Sequence, residues 1–182
     1  MKTPLRLIVT LGAVVALTAA CNPFGSTSSR GRLPEDPRFA EFTYKTDGEI
    51  KVQERTDSFN ERWPGLQATE GHVTIEYSPS DLLPNPDPEL WLTGVATVPD
   101  ETITALMEGT TSSALLPGIY PGLYQYVPQE CEFTTIDQEF ADKALAPDKE
   151  KIPHDFGPMD IRALAVSEDC NLLVFTALGH SD

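Results

Sequence analysis

The chain has 182 residues, with 13 Lys and Arg against 28 Asp and Glu, a formal net charge of −15 at pH 7. So acidic a surface repels phosphate backbones, and no nucleic-acid partner is expected. The length suits one domain with a real core, while three cysteines, Cys21, Cys131 and Cys170, make an odd count that needs an explanation in an exported protein.

The N-terminal "MKTPLR" carries Lys2 and Arg6 and no acid, and "LIVTLGAVVALTAA" follows, apolar or small throughout. As a helix this run would reach roughly 21 Å. That is short of a hydrocarbon core of about 30 Å, so it reads as the apolar part of a secretory signal over residues 1–20. No Arg-Arg pair marks a twin-arginine route. Next comes "NPFGSTSSRGRLPEDPR", rich in Ser, Gly and Pro, the composition of an extended tether over residues 21–38 with Arg30, Arg32 and Arg38 on it.

Residues 39–182 are expected to form a single α+β domain, mainly an antiparallel sheet with two short helices. "FAEFTYKTDGEIKVQER" predicts a hairpin turning at Thr46, Asp47 and Gly48, with Ile50 and Val52 alternating on the return strand. "HVTIEY" and "ELWLTGVATV" predict two further strands, separated by "SPSDLLPNPDP", whose prolines forbid a central strand. Asn85, Asp87 and Glu89 alternate with the spacing of calcium ligands, but Leu90 and Ala96 stand where an EF-hand needs Gly and Glu.

"PDETITALMEG" predicts a helix, with Asp100 and Glu101 complementing the dipole, Ile103, Leu106 and Met107 on one face, and Gly109 at the exit. "LLPGIYPGLYQYVP" places Tyr120, Tyr124 and Tyr126 among prolines and glycines. Tyrosines so held either anchor an irregular loop over the core or offer contact area to a peptide, sugar or protein. "FTTIDQEFADKAL" predicts a strand leading into a helix capped by Asp137, with Phe140, Ala144 and Leu145 inward.

"KIPHDFGPMD" holds His154 and Asp155 in a loop, where catalytic residues often reside, and His154 is the candidate for a general base. No nucleophile elbow, Ser-x-x-Lys, zinc-ligand spacing or phosphate-cradling glycine motif accompanies it, so neither a metal nor a cofactor is expected. The chain closes with "MDIRALAVSEDCNLLVFTAL", two apolar strands around a turn at residues 168–171.

The ending Leu17-Thr18-Ala19-Ala20-Cys21 resembles the lipobox of bacterial lipoproteins, with Thr18 where that family prefers Leu. The resemblance implies a diacylglyceryl group on the Cys21 sulfur, cleavage before it, and attachment to the outer face of a membrane. Two acyl chains give stable anchoring where one does not. With Cys21 so occupied, Cys131 and Cys170 are the natural disulfide partners outside the cytoplasm. The segment "WLTGVATVPDETITALMEG" with the closing hairpin is also loosely similar to uncharacterised actinobacterial lipoproteins, which brings no activity and no residue roles.

The expected function is therefore a membrane-anchored, extracytoplasmic lipoprotein that binds a protein or small ligand without catalysis. An exported hydrolase using His154 and a structural or accessory envelope lipoprotein are the alternatives.

Overall fold

The computed structural model describes residues 33–81, 88–146 and 159–180. The signal segment, Cys21, Arg30, Arg32, His154 and Asp155 lie outside the described residues.

Seven strands form one antiparallel sheet: β1 (Gln53–Glu54), β2 (Glu70–Tyr77), β3 (Glu89–Thr97), β4 (Thr110–Thr111), β5 (Thr134–Ile136), β6 (Met159–Ser167) and β7 (Leu172–His180). Their order is β1-β2-β3-β7-β6-β5-β4, so the closing hairpin β6–β7 enters the middle of the sheet and β7 pairs with β3 along its whole length. The sequence of β7 explains this place. "LLVFTA" is apolar without alternation, as a strand covered on both faces requires, and residues 173–177 are all buried.

Among the described residues the helices are few and short: α1 (Asp57–Asn60), α2 (Asp100–Met107) and α3 (Gln138–Leu145). The molecule is thus more β-dominated than an even α+β mixture. α2 starts where Pro99 cannot donate, and its inward stripe of Ile103 and Leu106 is buried. The Asp137 side chain caps α3 by accepting from the Phe140 amide at 2.9 Å.

All three helices lie on one face. There Val73, Leu92, Ala96, Leu173, Phe175, Leu164 and Val166 meet Phe59, Trp63 and Leu66 from the α1 region and Leu106 and Leu145 from α2 and α3. Phe59 and Trp63 both set their rings edge-on to Phe175 at 5.3 Å. Gly94 makes room for Phe59, since a Cβ there would stand 2.7 Å from its ring.

The opposite face is covered without regular structure. The expected hairpin over residues 39–55 does not form; Gln53 and Glu54 pair with Val73 and His72 of β2 and not with the first half of the segment. Residues 39–45 instead cross the sheet, and Phe39 makes a single parallel bridge to Leu116. The reason is aromatic burial. Phe42 and Tyr44 pack on Trp91 at 5.6 Å, a contact unavailable to a hairpin standing off the sheet edge.

Cys131 and Cys170 form a disulfide with Cα atoms 5.9 Å apart, tying the chain ahead of β5 to the β6–β7 turn. In that turn Asn171 takes φ 52°, the left-handed conformation that Asn tolerates.

Candidate functional site

The face opposite the helices carries Trp91, Thr93 and Val95 of β3, Val174 of β7 and Ala165 of β6. Over them lies the segment 112–128. Pro117, Pro121 and Pro128 deny that segment ladder hydrogen bonds, and its one regular piece is a 3-10 turn, Pro121–Tyr126. Ile119 and Leu123 plug it into the sheet, both fully buried.

Irregular backbone on a sheet must find polar partners one group at a time. The Tyr120 amide donates to the Thr93 hydroxyl at 3.1 Å, and that hydroxyl pairs with Thr74 at 2.8 Å. The Trp91 indole donates to the Lys45 carbonyl at 2.8 Å. Arg38 donates to the carbonyls of Pro128 at 2.8 Å and Val127 at 2.9 Å while its guanidinium pairs with Asp36 at 2.9 Å. Arg38 is therefore fixed to the domain by both sides of its fork, and that hydrogen bonding holds the Asp36 carboxyl below the usual carboxylate range.

The three tyrosines do not gather into one surface. Tyr120 meets Phe42 edge-on at 5.7 Å, Tyr124 stacks on Phe39 at 4.4 Å, and Tyr126 stacks on His72 at 3.5 Å. Each is half-buried and packs against the core of this face. Burial, with the Asp36 charge behind it, raises the Tyr124 phenol above its ordinary value. The rings thus pin the loop at three separate points.

Two shallow depressions flank the loop. A small one of about 230 Å³ has the stacked His72 and Tyr126 in its wall. Another of about 520 Å³ runs between Asp36, Tyr124 and Gln129. A third groove, of about 440 Å³, opens where residues 115–118 approach the β4–β5 edge, and Arg162 of β6 lines it. Arg162 occupies a β-bulge: the register passes from Ile161↔Ala177 to Ala163↔Thr176 and leaves it as the extra residue. Bulges re-aim side chains, and this one turns a cation toward the groove. Sequence reasoning passed over Arg162, although its signal is visible. Met159 and Ile161 alternate in burial, then Leu164 and Val166 resume the pattern one residue out of phase.

Among the described residues, no three His, Cys, Asp or Glu side chains come together as metal ligands. Comparison with known proteins finds no matching family model, no matching curated protein and no matching solved structure. The functional reading therefore rests on this chain's own chemistry.

Proposed function

We propose that the chain is an extracytoplasmic lipoprotein, held on a membrane by a diacylglyceryl group at Cys21, whose folded domain binds a ligand on the loop-covered side of its sheet. The observation that carries the reading is the Cys131–Cys170 disulfide. Disulfides persist outside the reducing cytoplasm. This one also uses both cysteines of the folded domain and leaves Cys21 as the single remaining thiol of the chain, at the end of a lipobox-like segment.

The binding role draws on the grooves beside residues 112–128. Loops held by a rigid sheet are where recognition commonly resides, and this loop is held at many separate points. Mass spectrometry of the intact protein isolated from membranes tests the anchor. The expected species begins at Cys21 with two ester-linked acyl chains on its sulfur-bound glyceryl group and contains no free thiol. An unmodified Cys21, or an N-terminus elsewhere, overturns the anchor.

A further inference from the structure

We infer that the groove lined by Arg162 is a binding site for a small monocarboxylate with an apolar body. The inference deepens the reading of the domain as a binding module and does not depend on the lipid anchor.

The first observation is electrostatic. In a chain with 28 acidic residues against 13 basic ones, Arg162 makes no hydrogen bond or ion pair among the described residues. Other arginines are engaged: Arg38 holds Asp36 and two carbonyls, and Arg55 holds Asp57. Arg162 instead lines a groove with its side chain exposed, and a guanidinium carries five donors in a planar fork, the geometry that receives a carboxylate through two parallel hydrogen bonds. One cation balances one negative charge. A phosphate dianion would lack a second compensating group beside the Asp137 carboxylate that shares the lining.

The second observation is the shape and chemistry of the walls. Ala40, Leu115, Leu116 and Ala163 give the groove apolar surface, and its volume of about 440 Å³ lies in the range typical of small-ligand sites. Leu115 is 47% exposed there, a large apolar side chain left open to solvent.

The third is rigidity of the rim. The Thr111 and Thr135 hydroxyls bond to each other at 2.9 Å, and the Ser113 amide donates to the Thr135 hydroxyl at 3.1 Å. Gly118 allows the opposite wall to come close, since a Cβ there would stand 2.5 Å from the Glu41 carbonyl oxygen. Walls fixed before binding lower the ordering cost that a ligand must overcome.

The test is calorimetric titration of the full chain, carried in lipid nanodiscs, with 4-methylpentanoate. Empty nanodiscs supply the blank, and 4-methylpentanamide and isopentyl phosphate serve as comparison probes. Saturable binding of the carboxylate is expected, with affinity lower by about tenfold or more for the amide and for R162Q, the loss of a charge-assisted pair. R162K should retain part of the affinity, because it keeps the charge and loses the fork. Arg162 is exposed and its side chain has no partner among the described residues, so R162Q should fold normally, as an unchanged circular dichroism spectrum and melting curve would show. The assignment is overturned by absence of saturable binding, by R162Q binding as tightly as wild type, by equal affinity for the amide, or by tighter binding of the phosphate. A chain without lipid on Cys21 is titrated in the same way in plain buffer, so the two readings fail separately.

Discussion

On one face of the sheet, rings and methyl groups from α2, α3 and the α1 region fill the space over β2, β3 and β7, and the helices satisfy part of their backbone groups internally. On the other face, residues 39–45 and 112–128 do the same covering with almost no repeating hydrogen bonds, so each polar group there needs a particular partner. Thr93 receives one amide, the Lys45 carbonyl receives the Trp91 indole, and two further carbonyls receive Arg38. The helical face is held by packing that many apolar residues could supply. The loop face is held by specific pairs, which is also why its grooves are rigid.

Four experiments press on this contrast. The largest effect is expected for Phe175→Ala, which empties the meeting point of Phe59 and Trp63. Urea unfolding should show a loss of about 3–5 kcal/mol. A loss below about 1 kcal/mol would mean that the helical face is not the main apolar core.

Removing the disulfide by the double substitution Cys131→Ala and Cys170→Ala should cost roughly 4 kcal/mol in the chain-entropy account, less any strain. Because the bridge joins the end of the loop layer to the β6–β7 turn, hydrogen exchange should rise first in residues 116–133 and last in α2. Equal acceleration on both faces would erase the distinction between them.

Trp91→Phe keeps a ring under Phe42 and Tyr44 and removes the bond to the Lys45 carbonyl. A loss of about 1 kcal/mol is expected. Faster exchange should be confined to residues 39–46 and 116–123, and a change within β6 would contradict a locally held loop layer.

The smallest effect concerns acid. The folded-state pKa of Asp36 lies below the ordinary 3.8 because Arg38 hydrogen-bonds its charged form. Its contribution is therefore fully present above that ordinary value and is lost as the pH falls through the lower, folded one. Asp36→Asn should lower stability at pH 7 by about 0.5–1 kcal/mol, a modest figure because Arg38 remains partly solvated. The gap between variant and wild type should close in strong acid. A gap that stays constant as the pH falls from about 4 into strong acid would assign the effect to packing.

The same division explains what could be read beforehand. β2, β3, α2, α3 and the closing hairpin announced themselves, since period-two and period-3.6 patterns and the Asp137 cap are local properties. The segment 39–55 had equally good alternation and a turn at Thr46, Asp47 and Gly48, yet it did not pair as a hairpin. Burying Phe39, Phe42 and Tyr44 against residues far along the chain outweighed local strand preference. Tyr120, Tyr124 and Tyr126 were legible as anchors or contacts, but nothing local said that each would stack on a different partner. Arg162 was the reverse case. Its one-residue phase slip was present in the sequence, while the groove it lines depends on residues 115–118 arriving from elsewhere.

By itself, then, the sequence determined the chain's acidity, its main strands and longer helices, and the cysteine pair available for a disulfide. These follow from composition and short-range periodicity. Tertiary structure alone decided that β7 would lie between β3 and β6, that residues 39–45 would roof the sheet, and that Arg162 would line an open groove. Those outcomes depend on which distant apolar surfaces meet, and hydrophobic burial is non-directional until packing selects the contacts.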